Sequence, residues 1–345
     1  MLNTMSNKIA FDYLVFIGRF QPFHLGHRFV IEQALANSKQ VIVLVGSADG
    51  PRSIRNPLTV AERAQMIKGA FSEQEAARIH CVALNDILYN DIRWVKQVQQ
   101  AVASVTGPQA DLKIGLIGHS KDNSSYYLSL FPNWQSLNVE NFKGLSATPI
   151  REGYLLGAMP LADFVPQSTL QVLADFSKTD TYQQLQEEAW FVDRYKKQWE
   201  RAPYPPTFVT VDAVVVQSGH ILLIERKSMP GQGMFALPGG FIDQKETLLD
   251  ACVRELREET RLKVPDPVIR GSLKAQKTYD DPFRSARGRT ITQAFYFSLK
   301  NDPQGLPKVK GSDDAKQAFW LPLADLKPEQ MFEDHYSIIC DLIGL

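Results

Sequence analysis

The 345-residue sequence has few cysteines, no long apolar run and no net charge. Its three cysteines, Cys81, Cys252 and Cys340, lie far apart without the spacing of a metal site, so we expect buried, reduced thiols in a reducing compartment. No segment approaches the roughly 18 consecutive apolar residues that a membrane helix needs, and residues 1–10 lack the apolar stretch of a secretion signal. We therefore expect a cytoplasmic protein.

The charge balance bears on the kind of partner to expect. The 38 basic and 38 acidic residues cancel, so the total charge favours neither nucleic acid nor an anionic membrane, and small ligands are preferred. Hydrophobic residues at 44% and charged residues at 22% are ordinary values, which excludes a disordered or disulfide-framework protein. At roughly 100 to 200 residues per domain, the length predicts two domains.

The first half of the chain has the rhythm of an α/β fold. Helical patterns, one of which opens with Thr59 and Glu62 as a capping box, alternate with short apolar runs at residues 14–17, 41–45 and 113–117. This alternation predicts a doubly wound, Rossmann-like parallel sheet, whose ligands bind beyond the carboxyl ends of the strands. Two pairs of residues fall at such ends: Gly18 with Arg19, and Gly46 with Ser47.

The second half is different, and the change follows a proline-rich segment. A helical pattern begins at Asp180 and is broken at residues 201–206, Arg-Ala-Pro-Tyr-Pro-Pro. A hairpin, one strong helix and a further strand follow, at residues 207–226, 247–259 and 290–299, which predicts an α+β fold with a mixed sheet. We therefore expect domains at 1–175 and 207–345, joined by a helix and a proline-rich linker at 176–206.

A nucleotide pocket is predicted in the first half. His24 and His27 are three residues apart just after a strand, and they point to one ligand if a helix begins near Leu25. Thr148 can cap a second helix, whose free N–H groups suit a phosphate, with Pro149 in its first turn. The residues that complete the pocket are glycines for close backbone approach and polar phosphate donors: Gly18, Gly26, Arg19, Ser146 and Arg151.

These residues carry a family resemblance. His24-Leu-Gly-His27 and Ser146-Ala-Thr-Pro-Ile-Arg151 are similar to the two signatures of the nucleotidyltransferases, and residues 10–170 resemble the archaeal type of nicotinamide mononucleotide (NMN) adenylyltransferase. The resemblance implies transfer of AMP from ATP to NMN, or to the nicotinic acid form, without a covalent intermediate. It implies catalysis by His24, His27, Arg19 and Arg151. The implied ATP-binding residues are Gly18, Arg19, Phe20, His24, Gly26, His27, Ser146, Thr148 and Arg151.

The same resemblance implies an NMN-binding set. Asp86, Asn90 and Trp94 are spaced by four, which places an acid, an amide and an indole on one face, although Trp94 can also be an ordinary core residue. A polar loop after the third predicted strand supplies the rest, and a solvated turn is its alternative interpretation. The loop residues are Gly118, His119, Lys121 and Asp122.

A second site is predicted on the helix at 247–259. The spacing from Gly240 to Glu246, Arg254 and the following Glu-Leu-Arg-Glu-Glu matches the Nudix box, and Arg254 can pair with Glu246. The three carboxylates Glu255, Glu258 and Glu259 share one helical face, where their repulsion costs ~0.2 to 0.5 kcal/mol per pair unless a cation intervenes. Hard oxygen ligands suit Mg²⁺ or Mn²⁺, whereas a plain solvated surface is the alternative.

The C-terminal half, residues 205–345, resembles the ADP-ribose pyrophosphatases that are fused to NMN adenylyltransferases. Arg287 and Arg289, with Asp313 and Asp314, extend the likeness, which implies hydrolysis of ADP-ribose to AMP and ribose 5-phosphate, with Glu258 catalytic. Arg261 stands where the box has glycine, so we expect a different helix end. A different nucleoside diphosphate substrate, or a ligand sensor without hydrolysis, stays open. A homo-oligomer is also open.

Overall fold

The structure is a computed structural model that describes residues 10–107, 111–118, 130–140, 142–312 and 314–345. The chain forms two compact units, Met1–Gln186 and Glu187–Leu345. The domain limits at 175 and 207 stay a prediction. None of the helices in the described part of the chain combines the length and apolar character that crossing a bilayer demands.

The N-terminal unit is built on a five-stranded parallel sheet of order β3-β2-β1-β4-β5. Its strands are β1 (Phe11–Gly18), β2 (Ser38–Val45), β3 (Ile79–Ala83), β4 (Ile114–Gly118) and β5 (Gln135–Asn138). Val41 to Val45 are all fully buried, because a parallel sheet is covered on both faces. The predicted doubly wound parallel sheet is therefore confirmed, with each of the three predicted strands in place.

Helices connect and cover these strands. In chain order they are α1 (Leu25–Asn37), α2 (Val60–Lys68), α3 (Glu73–Ala76), α4 (Asp91–Thr106), α5 (Ala147–Leu155), α6 (Gln167–Phe176) and α7 (Asp180–Lys197). The Thr59–Glu62 capping box is present at the start of α2, as predicted. The predicted helix from Asp180 is α7, within which the boundary between the two units falls.

The C-terminal unit contains a mixed sheet, as predicted, with the order β10-β11-β6-β7-β12. Its strands are β6 (Phe208–Gln217), β7 (His220–Arg226), β8 (Phe235–Ala236), β9 (Gly239–Phe241), β10 (Leu273–Tyr279), β11 (Thr290–Ser298) and β12 (Ala315–Pro322). Its helices are α8 (Leu248–Thr260), α9 (Asp266–Gly271) and α10 (His335–Ile343). The hairpin of β6 and β7 turns at Ser218 and Gly219, as the sequence indicates.

The core of this unit lies between β6 and α8. Val211, Ala213 and Val215 project from one face of β6 and pack with Cys252 and Leu256 of α8. The alternation leaves the intervening Asp212 on the opposite face of the strand, where it is nonetheless buried. Two sides of one strand thus serve different purposes: one forms the hydrophobic core and the other holds a buried carboxylate.

All three cysteines are free thiols. Cys252 is fully buried in the core, as predicted, whereas Cys81 and Cys340 are partly exposed, so the prediction of burial is wrong for these two. Burial nevertheless raises the pKa of Cys81 to about 11.

Candidate functional site

The carboxyl ends of β1 and β2 lie side by side, since Gly18 is paired with Val45. Immediately beyond them, Phe20 and Ser47 hold left-handed backbone conformations with φ of 53° and 50°. Left-handed backbone is unfavourable for residues other than glycine, and it persists where surrounding contacts impose it. The two loops at this edge are therefore held in a defined, strained form.

Arg63 of α2 supplies those contacts. Its guanidinium, in a side chain only 1% exposed, donates to the carbonyl oxygens of Arg19 at 2.8 Å, Gly46 at 2.6 Å and Ser47 at 3.3 Å. Burial lowers its pKa to about 10, so the group stays charged at neutral pH. Arg63 therefore ties both loops to the N-terminal part of α2.

His24 and His27 form a stacked pair at the start of α1. Leu25 is the first helical residue, as predicted, and His24 is the N-cap. The backbone N–H of each histidine donates to Nδ1 of the other at 3.3 Å, and the ring centroids are 3.6 Å apart. A Cβ on Gly26 would lie 2.9 Å from the His24 ring, so this stack requires glycine between the histidines. Phe20 lies edge-on to His27, with 4.9 Å between centroids.

Arginines gather at the same place. Arg151 of α5 donates to the carbonyl oxygens of Gln21 at 3.0 Å and Ile54 at 3.2 Å. Burial, followed by repulsion from Arg19 and Arg55, lowers the pKa of Arg151 to about 10, and Arg19 also acts on Arg63. Arg19 thus lies near both Arg63 and Arg151, and Arg55 lies near Arg151, so positive charge gathers here, which favours an anionic ligand.

The start of α5 differs in detail from the prediction. Ser146 occupies the N-cap position, whereas Thr148 lies inside the first turn, so the prediction that Thr148 caps this helix is wrong. The Ser146 side chain makes no capping hydrogen bond within the helix. Pro149 lies in the first turn as expected, because its missing N–H has no helical partner there. The first-turn N–H groups of α5 thus remain suitable for an anion.

The predicted NMN-binding residues take separate structural positions. Asp86 accepts a hydrogen bond from the Ser47 hydroxyl at 2.6 Å, and Asn90 is the N-cap of α4, accepting from the Arg93 N–H. Trp94 packs edge-on to Phe131 against the core of the N-terminal unit. Gly118 ends β4, while His119, Lys121 and Asp122 lie outside the described residues.

In the C-terminal unit, the predicted pair of Arg254 and Glu246 is confirmed. Arg254 donates to both carboxylate oxygens of Glu246, with distances of 3.0 Å from Nε and 2.7 Å from Nη2. Its Nη1 also donates to Glu255 and Glu258, each at 2.9 Å. Arg254 therefore holds three carboxylates of the predicted box and fixes the preceding loop on α8.

Glu259 has a different environment. Its side chain is buried, and its Oε2 accepts a hydrogen bond from the Gly239 N–H at 2.9 Å. Burial raises its pKa to about 8, and repulsion from Glu255 acts in the same direction. A Cβ on Gly240 would lie 2.5 Å from Glu255 Oε1, so the two glycines let the backbone approach both carboxylates.

The three glutamates do not converge as a ready-made metal centre: among the described residues, no group of three acidic, histidine or cysteine side chains is arranged to hold a metal ion. Glu258 is half-exposed and held by Arg254. The donors still fit a divalent cation, since Glu255 and Glu259 repel each other, are both poorly solvated and offer hard oxygens. A cation between them would relieve that repulsion.

The two predicted ADP-ribose arginines differ in position. The guanidinium of Arg287 lies 5.0 Å from the Phe241 ring centroid, and its buried Nε makes no hydrogen bond. Arg289 donates to the Asp280 carbonyl and lies 3.6 Å from the Asp280 carboxylate. Arg287 therefore lies beside Phe241, the residue that follows Gly239 and Gly240, whereas Arg289 is paired with Asp280 in its own loop. Asp313 lies outside the described residues.

Asp212 of β6 is a buried polar residue that was not predicted from the sequence. Asp212 accepts from the Thr292 hydroxyl at 2.6 Å, and the His335 Nε2 lies 3.8 Å from it. Burial lowers the pKa of His335 to about 3, so this imidazole is neutral. A single aspartate in the mainly apolar strand Val-Thr-Val-Asp-Ala-Val could have predicted a buried polar site, because buried carboxylates are rare unless they are paired.

Two family models match the chain. The cytidylyltransferase-like model covers residues 15–152, and the NUDIX domain model covers residues 206–342. The nicotinamide/nicotinic acid mononucleotide adenylyltransferase of Acinetobacter baylyi is 48% identical over 179 residues, which are 52% of this chain and 93% of that protein. The ADP-ribose pyrophosphatase of Methanocaldococcus jannaschii is 39% identical over 133 residues, covering 39% of this chain and 71% of its own length.

Two solved structures are similar to this chain over both of its units. Two crystal structures of a bifunctional NMN adenylyltransferase/ADP ribose pyrophosphatase from Francisella tularensis, one complexed with AMP and a manganese ion, are each 36% identical to this chain. Each aligns with a TM-score of 0.90 over 97% of this chain and 99% of the Francisella chain. This chain, in which a cytidylyltransferase-like match is followed by a NUDIX match, therefore belongs to the family of that Francisella protein.

Proposed function

We propose that this chain is a bifunctional enzyme of NAD metabolism. Its N-terminal unit transfers AMP from ATP to NMN, giving NAD and pyrophosphate, and its C-terminal unit hydrolyses ADP-ribose to AMP and ribose 5-phosphate. The observation that carries the proposal is the near full-length likeness to the bifunctional Francisella protein, over both units at once. The geometry of both sites supports it.

In the transferase reaction, an oxygen of the NMN phosphate forms a bond to the α-phosphorus of ATP while the bond to the pyrophosphate oxygen breaks. No enzyme atom takes part covalently, so positioning and neutralisation of charge supply the catalysis. His24, His27 and Arg19 are the donors proposed to hold the triphosphate, with Arg151 and the start of α5 behind them. Charge builds on the phosphoryl oxygens in the transition state, where such donors act most strongly.

The NMN-binding part of the proposal rests on Asp86, Asn90 and Trp94, which follow β3 at the carboxyl edge of the sheet. Their position is one that α/β proteins use for ligands. The Acinetobacter relative is named for both the nicotinamide and the nicotinic acid mononucleotide. A comparison of the two substrates in one assay decides between the amide and acid forms.

In the hydrolase reaction, water attacks a phosphorus of the pyrophosphate group, AMP or ribose 5-phosphate leaves, and the water gives up a proton. Bound Mg²⁺ or Mn²⁺ polarises the phosphate and activates the water. Glu255 and Glu259 are proposed to hold the ion, with Glu258 available beside them. Arg254 orients Glu255 and Glu258, and Arg287 is proposed to bind the negatively charged pyrophosphate of the substrate.

The test uses full-length protein in two assays, NAD formation from ATP and NMN, and AMP release from ADP-ribose, both with Mg²⁺. His27→Ala is expected to lower NAD formation about 100- to 1,000-fold, since that is the usual loss for one transition-state donor. The same variant should release AMP at the normal rate. Glu259→Gln should show the reverse pattern.

Matched controls come from the same units. His80 is a partly buried histidine whose Nε2 forms a hydrogen bond with Gln40 of the neighbouring strand, and Glu187 is an exposed glutamate of α7. His80→Ala and Glu187→Gln should leave both activities unchanged. Wild-type protein that binds ADP-ribose without releasing AMP would make the C-terminal unit a sensor, and preferential cleavage of another compound in a nucleotide-sugar panel would change its substrate.

A further inference from the structure

The segment Leu237-Pro-Gly-Gly240 determines where the Glu259 carboxylate lies. Its Gly239 N–H is a donor to that carboxylate. The segment packs tightly against β6, because a Cβ on Gly239 would clash with the Val211 carbonyl oxygen. The Pro238 carbonyl oxygen in turn accepts from the Ala213 N–H at 2.8 Å. Any shift of this segment would displace the Gly239 N–H that donates to the Glu259 carboxylate.

His335, the first residue of α10, holds the same segment from the other side. The Leu237 N–H donates to its Nδ1 at 2.9 Å, although the two residues are 98 positions apart in sequence. The side chain is buried, with 6% of its surface exposed. Because Nδ1 accepts a backbone proton, the ring must carry its own proton on Nε2, which faces Asp212 Oδ1 at 3.8 Å.

Asp212 completes the arrangement. Its Oδ1 is also the atom that a Cβ on Gly239 would approach to 2.8 Å, so the carboxylate lies directly against the glycine segment. Arg284 lies 3.8 Å from Oδ2 and makes a two-point ion pair with Asp334, at 2.9 Å and 3.0 Å. These groups form a buried network, from which the His335 side chain accepts a backbone N–H of the segment.

We propose that His335, whose Nε2 faces Asp212, is a positioning residue for the Nudix centre: it fixes the Leu237–Gly239 backbone so that Gly239 directs the Glu259 carboxylate towards a divalent cation. The inference rests on the proposed function to the extent that this cation serves the hydrolase. Mutation of residues that hold metal ligands in place, without binding the metal themselves, typically lowers metal affinity or activity about 10- to 100-fold.

Two amide variants separate positioning from filling space. In His335→Asn the side-chain oxygen can take the place of Nδ1 and accept the Leu237 N–H. In His335→Gln the oxygen lies one methylene further out and cannot do so without displacing the segment. Both amides are neutral and polar, so they place the same chemical group in the same buried network.

The readouts are Mn²⁺ affinity of the full-length protein without nucleotide, measured by electron paramagnetic resonance, and kcat and KM for ADP-ribose at fixed Mn²⁺. We expect His335→Gln to lose about 10- to 100-fold in Mn²⁺ affinity and kcat with little change in KM, and His335→Asn to stay near wild type. NAD formation should be unchanged in both. Equal behaviour of the two variants would overturn the proposal.

A measurement on the wild type keeps the proposal testable if a variant does not fold. Mn²⁺ should slow hydrogen exchange at the Leu237 and Gly239 amides, because the ion would fix the carboxylate that Gly239 binds. Unchanged exchange at both amides under saturating Mn²⁺ contradicts the proposal. Since Mn²⁺ binding needs no substrate, these results stand even if ADP-ribose is not hydrolysed, a result that would reject the proposed function alone.

Discussion

At the scale of single residues, Arg63 shows how a charge can serve structure at a binding edge. It is fully buried, yet every donor bond it makes is to a backbone carbonyl: Thr59, Arg19, Gly46 and Ser47. The planar guanidinium can reach these oxygens at once, whereas a lysine ammonium cannot. Its role is to hold the strand-end loops in their strained conformation.

Arg63→Lys should therefore destabilise the N-terminal unit by about 3 kcal/mol, since hydrogen bonds to a charged group contribute roughly 1.5 to 3 kcal/mol each. Denaturant unfolding measures the change. Arg78 is the matched control, because it also donates to carbonyl oxygens, those of Leu35, Ser38 and Lys39, but is only partly buried, just before β3. Arg78→Lys should cost less than about 1 kcal/mol. Similar losses in the two variants would contradict this role for Arg63.

Residues of this kind mark the limit of prediction from sequence. The histidines and arginine that precede and enter α1 were identifiable because they follow a strand within a few residues. Arg63 and His335 act through contacts 44 and 98 positions away, on backbone groups that carry no sequence signature. The prediction that Thr148 caps α5 failed for a local reason, since the N-cap is Ser146 and the helix begins at Ala147, two residues earlier than predicted.

At the scale of elements, the helix that carries the glutamates was predicted well because several signals agreed. Thr247 is its N-cap, accepting from the Asp250 N–H, and one apolar face packs against β6. The sequence predicted a different helix end because Arg261 replaces the glycine of the box. That prediction is wrong for the backbone, since Arg261 adopts the left-handed conformation, with φ of 51°, that glycine usually supplies. Arg261 thus differs from the glycine of the box in its side chain but has the same left-handed backbone geometry.

Arg261→Gly should stabilise the C-terminal unit by about 0.5 to 1 kcal/mol, because glycine avoids the steric cost of left-handed backbone. The lost bond from Arg261 to the Ser312 hydroxyl is exposed and offsets little of this gain. Arg261→Ala is the control, since it loses the same bond and keeps the strain, and its unfolding free energy should not rise. A gain of equal size in both variants would show that the backbone is not the cause.

At the scale of the whole molecule, the two compact units should respond differently to pH. The raised pKa of Glu259, about 8 against an ordinary 4.5, means that the folded unit keeps a proton that the unfolded chain has lost. Stability must then fall as pH rises between these values. The buried His335 opposes this below its ordinary pKa of 6.5, because the unfolded chain takes up a proton there. Above that pH His335 no longer opposes the effect of Glu259.

In chelator, the C-terminal unit should therefore lose about 2 kcal/mol of unfolding free energy from pH 6.5 to 8, since one pKa unit is worth about 1.4 kcal/mol. In the N-terminal unit, the lowered pKa of His80 acts below this window and the raised pKa of Cys81 above it, so neither of these groups contributes a slope within it. Hydrogen exchange of peptides from β7 and β2 follows each unit separately. Glu259→Gln should abolish the slope in β7, and Mn²⁺ should reverse it, because the ion binds the ionised carboxylate. A slope that survives in Glu259→Gln would assign the effect to another group.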